Sequence, residues 1–241
     1  MTGMYGQKVK YAVIISANTE WKTVKKMYSS ETLNTSPWGE YFFSSVEIKS
    51  KELKVLFFHE GWGKVAASGA TQYVIDKFDP KVIINLGTCG GFEGDVERFE
   101  TILAEKTIIY DIKEAMGDSK EAIADYSTEI NLTWLGNENY PVKVKRSLLV
   151  SADRDLVPEE LAALKSKYNA LAGDWESGAI AYVCNKNQRK TLILRGVTDL
   201  VSSNKGEAYN NISLFEQRTE MVMKRLIEQL PLWLQFIENK I

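Results

Sequence analysis

Apolar residues fall in short runs along this chain, and polar segments of changing period separate them. Lys10–Ser16 (KYAVIIS), Lys81–Leu86 (KVIINL) and Thr191–Leu194 (TLIL) are nearly unbroken apolar segments. Runs of this length predict strands buried on both faces. Gly39–Glu47 and Leu53–His59 also have strand composition, and the polar IKSKE between them predicts a hairpin. Thr101–Ile112 reads as one long strand or two short ones, and Val142–Ser151 as another. Elsewhere the spacing is helical. Glu20-Trp21 opens a helix through about Ser29, with Asn18 or Thr19 as N-cap. A second helix follows the Gly61-Trp62-Gly63 turn, where Ala66, Ala67, Gly69 and Ala70 permit close packing. Pro158 starts a third, PEELAALKSKY, with two glutamates in its first turn. Ala179, Ile180, Val183 and Cys184 share one face of a fourth. Val222, Leu226 and Leu230 mark a fifth over Ser213–Leu230. Pro231 is expected to end or kink it before a short final helix in LWLQFIENKI. Ala170–Gly173 is a brief link or strand, and the polar Lys113–Asn139 predicts an irregular excursion.

Strands alternating with helices predict an α/β fold. With no repeat, low-complexity tract or linker, residues 1–241 read as a single domain. At 241 residues and 44% hydrophobic content the chain can bury one substantial core. A net charge of -2 with 26% charged residues argues against nucleic acid or a membrane surface as partner. No apolar run approaches the roughly 18 residues of a membrane span. The opening MTGMYGQKVKYAVIIS lacks the pattern of a signal peptide, so a cytoplasmic location is expected. Cys89 and Cys184 are the only cysteines and are expected as reduced thiols. There is no CxxC and no HExxH, and His59 is the only histidine. No metal and no organic cofactor are indicated, and acid–base chemistry falls mainly to carboxylates.

Several carboxylates stand at element boundaries. Glu20 opens a helix, Glu176 precedes the small-residue helix of DWESGAIAYVC, and Asp199 follows the TLIL strand together with Arg195. In open α/β sheets ligands bind at the carboxyl ends of strands. Gly87-Thr88-Cys89-Gly90-Gly91 has three glycines in five residues after an apolar strand. Such a loop lets backbone approach a ligand, and its N–H groups can cradle an anion or hydroxyl. It is neither a P-loop nor a full GxGxxG, which argues against nucleoside triphosphates and dinucleotides. Taken singly, Glu20 is an ordinary complement to a helix dipole and the Gly-Trp-Gly segment an ordinary tight turn.

Five segments in order carry more than any one of them: SANTE after the first strand, EGWGKVAA, INLGTCGG, VSADRDL, and DWESGAIAYVC followed by LRGVTDL. Together they resemble the nucleoside phosphorylase/nucleosidase superfamily, most closely its 5′-methylthioadenosine/S-adenosylhomocysteine nucleosidase branch. The resemblance implies a three-layer αβα sandwich with a central mixed, partly barrel-like sheet, assembled as a homodimer or larger homo-oligomer. It implies Asp199 as the acid that serves purine N7 and Glu20 as the group that orients the attacking water. By the same likeness Glu176 binds the ribose hydroxyls, while Thr88, Cys89 and Gly90 line ribose and base. Leu156 corresponds to a backbone position beside the adenine, and Arg195 to an arginine supporting the network. Trp175 stands where a methionine usually underlies the ribose, and Trp62 where a small aliphatic residue is common near the 5′ side. Asp155 replaces an aromatic that often stacks on the base. These departures leave the 5′ substituent open.

The implied chemistry is coherent. Cleavage passes through an oxocarbenium-like sugar, one carboxyl protonating the leaving base and another assisting water on the opposite face. A glutamate on the vicinal hydroxyls holds more strongly as positive charge develops. Asp199 must then keep its proton near neutral pH. Phosphorylases of the superfamily hold phosphate with arginines after the first strand and before the glycine loop. Here those places carry SANTEW and Asn85, so hydrolysis is expected, although Lys22, Lys25 and Lys64 are possible substitutes. An aspartate rather than asparagine at 199 favours adenine. The expected substrate is a small purine nucleoside: methylthioadenosine, adenosylhomocysteine or a related adenosine. The alternatives are a phosphate-dependent purine nucleoside phosphorylase and a non-catalytic nucleoside-binding or storage relative.

Overall fold

The computed structural model describes residues 7–136 and 139–241. Residues 1–6, part of the segment read for a signal peptide, and 137–138 of the polar excursion lie outside the described residues. The elements in order are β1 (Tyr11–Ile15), α1 (Asn18–Met27), β2 (Asn34–Ser36), β3 (Gly39–Ile48), β4 (Lys51–His59) and α2 (Gly63–Phe78). Next come β5 (Val82–Phe92), β6 (Thr101–Ile109), α3 (Lys120–Asp125), β7 (Ser127–Glu129), β8 (Lys145–Ser151) and α4 (Leu161–Tyr168). The chain finishes with β9 (Ala172–Asp174), α5 (Ser177–Lys186), β10 (Lys190–Val201) and α6 (Ile212–Glu238).

The strands form one mixed 10-stranded sheet. Strands β5, β9, β8, β6 and β10 pair in a ring, because β10 bonds to both β6 and β5, and so close a barrel. From β5 the sheet continues outward through β1, β4, β3 and β2 as an open wing. β1 alternates its faces as a strand must. Tyr11, Val13 and Ile15 join Trp21 and Val24 of α1 and Leu226 and Leu230 of α6. Ala12 and Ile14 face the other way, toward Ala70 and Val74 and toward Ala67 and Ile180 of α2 and α5. Helices on both faces of the sheet give the three-layer αβα architecture, with the partly barrel-like sheet that the sequence implies.

Several local expectations change. The Gly87–Gly91 run is not a loop: it is the second half of β5, paired with β10 and β9. Likewise the TLIL strand continues to Val201, so Asp199 lies within β10 rather than beyond it. Barrel closure supplies hydrogen-bond partners that a glycine-rich segment could not find in an open sheet. Thr101–Ile109 is a single strand, and the polar excursion contains α3 and β7. Pro158 starts a short 3-10 turn before α4 begins at Leu161. Ala17, not Asn18 or Thr19, is the N-cap of α1. The hairpin turn is Lys49-Ser50, both at positive φ, where I′-type geometry suits the strand twist. Pro231 lies inside an unbroken α6. A mid-helix proline costs about 3 kcal/mol, but Trp233, Leu234 and Ile237 beyond it are buried, each stabilising by about 1.5–3 kcal/mol. Burial therefore holds the helix through the break.

Candidate active site

The site is assembled at the carboxyl ends of β1, β4, β5 and β10, around Arg195. This arginine is 1% exposed and lies opposite Gly87 in the β10–β5 register. A Cβ on Gly87 would stand 1.9 Å from Arg195 Nη1, so the glycine is what admits the guanidinium. Arg195 Nε donates to Ser177 Oγ at 2.9 Å and lies 2.8 Å from Asp174 Oδ2. Its Nη1 is 3.9 Å from Glu20 Oε1, and its Nη2 is 3.9 Å from Glu176 Oε2. Among the described residues Nη2 has no hydrogen-bond partner.

Glu20 is held from both sides. The Ala17 N–H donates to its Oε2 at 3.1 Å, as suits an acid in the first turn of a helix. Its Oε1 accepts from the Thr88 N–H at 2.6 Å and from the Thr88 hydroxyl at 2.8 Å. The parallel neighbours β1 and β5 thus join the helix start to the glycine segment. Glu176, the N-cap residue of α5, accepts the Gly63 N–H at 3.0 Å through Oε1. Gly63 has φ +82, and a Cβ there would lie 2.9 Å from Asp153 Oδ1, so glycine is needed at this turn. Asp174 accepts from Ser151 Oγ at 2.7 Å and from the Ser177 hydroxyl.

Glu60, just past β4, completes the group. It is 1% exposed and accepts from Ser16 Oγ at 2.7 Å, with Thr71 Oγ1 at 3.4 Å. Burial pushes Glu60 up to about 8, against the Ser16 hydrogen bond. Burial also pushes Glu176 up to about 8, opposed by Arg195 and reinforced by Asp174 and Glu20. Glu20, Glu60, Asp174 and Glu176 are all buried around a single buried guanidinium. Such a surplus favours a reacting centre that gains positive charge and disfavours an anion.

A second group adjoins this one. Asp199 is 6% exposed, opposite Gly90, just past a register shift after Val197. Bulges of this kind re-aim side chains. Burial raises the Asp199 carboxyl, while the Thr198 hydroxyl at 2.7 Å opposes the shift. Leu156 packs over Gly90 and Gly173, and its carbonyl accepts the Tyr209 hydroxyl. Thr88 and Gly90 lie two positions apart on β5, roughly 7 Å along the strand.

Glu20, Thr88, Glu176 and Arg195 therefore meet in one network, and Gly90, Leu156 and Asp199 in its neighbour. Cys89 does not present a reactive thiol. Its side chain packs with Val96, Ile193 and Val197, and burial raises the thiol well above its usual range. Trp62 is 59% exposed as the N-cap of α2, beside the Gly63 turn. Trp175 Nε1 donates to Asp155 Oδ1 at 3.3 Å, which places two of the three departures from the family pattern against each other. Glu60, Asp174 and Tyr209 were not legible as site residues; Glu60 in HEGWG and Asp174 in DWES stand next to segments that were. A cavity of about 500 Å³ lined by Glu105, Arg146 and Tyr168 lies over the opening half of β8, apart from the carboxylates. Among the described residues no group of three or more His, Cys, Asp or Glu side chains is arranged to hold a metal ion.

A sequence profile of the phosphorylase superfamily matches residues 10–230. The 5′-methylthioadenosine/S-adenosylhomocysteine nucleosidase of Buchnera aphidicola subsp. Acyrthosiphon pisum is 28% identical over 236 residues, 92% of this chain and 99% of the relative. Among solved structures, that nucleosidase from S. pneumoniae, with a transition-state inhibitor, superposes with a TM-score of 0.74 at 19% identity, covering 94% of this chain and 99% of the other. Futalosine hydrolase of Helicobacter pylori gives a TM-score of 0.70 at 18% identity, covering 97% and 99%.

Proposed function

The chain belongs to the phosphorylase superfamily, and on that premise we propose that it hydrolyses the N-glycosidic bond of an adenine nucleoside such as methylthioadenosine or adenosylhomocysteine, releasing adenine. One observation carries the reading. Arg195 Nη2 is a buried donor without a partner, 3.9 Å from Glu176 Oε2. That separation is too long for a direct hydrogen bond and fits a bridging hydroxyl. A ribose hydroxyl would donate to Glu176 and accept from Arg195, and the neighbouring hydroxyl would share the carboxylate.

Glu20 Oε2 keeps a lone pair beyond its bond from Ala17 and would take a proton from the attacking water. Asp199, whose carboxyl burial raises, would donate a proton to the purine as the bond from sugar to base breaks. A new carbon–oxygen bond forms at the same sugar carbon, so water supplies the hydroxyl and Asp199 the base's proton. Phosphate has no place in this scheme. Arg195, the buried cation, is already faced by Asp174, Glu20 and Glu176, which supports water as nucleophile.

The assembly proposed is a homo-oligomer. Trp62 (59% exposed) and Val65 (80%) share the opening turns of α2, and Trp38 (41%) packs over Gly69 further along it. Together they leave an apolar face that a second copy would cover. Both cysteines are free thiols, in keeping with a cytoplasmic location. The deciding experiment is a nucleoside panel assayed for free base with and without phosphate. Adenine released without phosphate is expected. Release only with phosphate, or no turnover of any nucleoside, overturns the proposal.

A further inference from the structure

Glu60 is a buried acid of the cluster to which the reaction as drawn gives no task. Asp174 already has one, since it orients Arg195. Glu60 sits where three elements converge. Its backbone N–H donates to Ile15 at the end of β1 at 2.9 Å. Its carboxyl meets Ser16, which leads into the helix of Glu20, and Thr71 of α2. Three residues on, Gly63 holds Glu176.

The charges facing Glu60 are Glu176 from the turn before α5 and Arg195 from β10, with the Cys184 thiol of α5 close by. Among the described residues no lysine or arginine forms an ion pair with it, because the nearby guanidinium is engaged with Asp174, Glu20 and Glu176. An ionised carboxyl here would be buried on two hydroxyls, beside a like charge. That is a costly arrangement. The neutral acid satisfies the same contacts: it accepts from Ser16 and donates to the Thr71 hydroxyl.

We propose that Glu60 stands as an uncharged carboxylic acid and is a positioning residue for Glu176, its proton allowing Glu176 to keep the negative charge that binds the sugar hydroxyls. This rests on the reading of Glu176 as the sugar ligand. Burial raises both acids and Glu176 raises Glu60 further, so a second negative charge in the pair is disfavoured. Glu176 also receives a backbone N–H and faces Arg195, so the proton belongs on Glu60. As pH rises through 8, Glu60 ionises and sets a second charge beside Glu176. Deprotonation of Glu176 itself would have the opposite sign and would improve sugar binding with rising pH.

Glu60→Gln is the test, because an amide accepts from Ser16 and donates to Thr71 without ever ionising. The wild-type KM for methylthioadenosine is expected to climb about tenfold per pH unit above pH 8. The variant should stay within about threefold of wild type at pH 7 and lose that climb. An alkaline limb that superimposes on wild type overturns the proposal. So does a wild-type KM that falls as pH rises. Infrared spectroscopy of the resting protein at pH 7 reads the proton directly. The protonated-carboxyl absorption should lose one component in Glu60→Gln while that of Asp199 remains, and absorption of unchanged strength refutes the assignment even where the variant is inactive. If wild type releases no adenine, the proposed function fails, and the infrared band together with the pH dependence of adenosine binding by calorimetry still decides the role of Glu60.

Discussion

Gly87→Ala adds a single methyl group, and its effect can be worked from the register of β5 and β10. The new Cβ would lie 1.9 Å from Arg195 Nη1, 2.9 Å from Cζ and 3.1 Å from Glu20 Oε1. Carbon–nitrogen contact needs about 3.5 Å, so the guanidinium must retreat by roughly 1.5 Å. It cannot do so freely, because Nε is fixed at 2.9 Å from Ser177 Oγ and 2.8 Å from Asp174 Oδ2. Breaking a buried ion pair of this kind costs about 3–5 kcal/mol. With a urea m-value of about 3 kcal/mol/M, the unfolding midpoint should fall by about 1–1.7 M. Backbone propensity alone predicts the reverse, since alanine in a strand is better than glycine by about 0.5–1 kcal/mol. The sign is therefore decisive. Urea unfolding followed by tryptophan fluorescence gives the stability, and adenine release gives the activity, which should fall at least about tenfold as Arg195 leaves the proposed sugar site. A midpoint at or above wild type with unchanged turnover would refute the account of how Arg195 is seated.

Asp199→Asn removes the proposed proton donor without changing shape, and kcat/KM for adenine release should drop about 10²–10⁴-fold. In the wild type, activity that depends on protonated Asp199 should decline as pH rises through its burial-raised value, and a flat profile there contradicts the acid role. Stability should also depend on pH. Glu60 binds its proton more tightly folded, at about 8, than at the ordinary value of 4.5, so its contribution is complete below 4.5 and is lost as pH rises toward 8. Thermal midpoints measured across that window should fall, less steeply in Glu60→Gln, and midpoints that rise would reverse the sign. Pro231→Ala restores an N–H within α6 and should stabilise the protein by about 1–3 kcal/mol in urea unfolding.

The strand and helix pattern was legible wherever one physical preference dominated. The apolar runs of β1 and the first half of β5 could be nothing but buried strand, and the four-residue spacing of Val222, Leu226 and Leu230 marked α6. Legibility failed where long-range pairing overrode local preference. Gly87–Gly91 reads as a loop because glycine is a poor strand former, yet β10 and β9 bind both of its edges. Pro231 reads as a stop because proline lacks an N–H, yet the buried residues beyond it keep the helix whole. Glu60 does not stand out in the sequence, since nothing local reveals that α2, β1 and β4 will bury it.

The residue types at the site were written in the chain: the carboxylates at element ends, the glycines that let backbone and guanidinium approach, and the order of segments that marks the family. Those features are local, and short-range chemistry suffices to read them. The three-dimensional fold alone decided the electrostatics. Closure of β10 onto β5 carried Arg195 past Gly87 into the midst of Glu20, Asp174 and Glu176, and the convergence of β1, β4 and α2 enclosed Glu60 with no ion pair among the described residues. Proton affinity depends on burial and on charges a few ångströms away, and neither is a property of sequence neighbours.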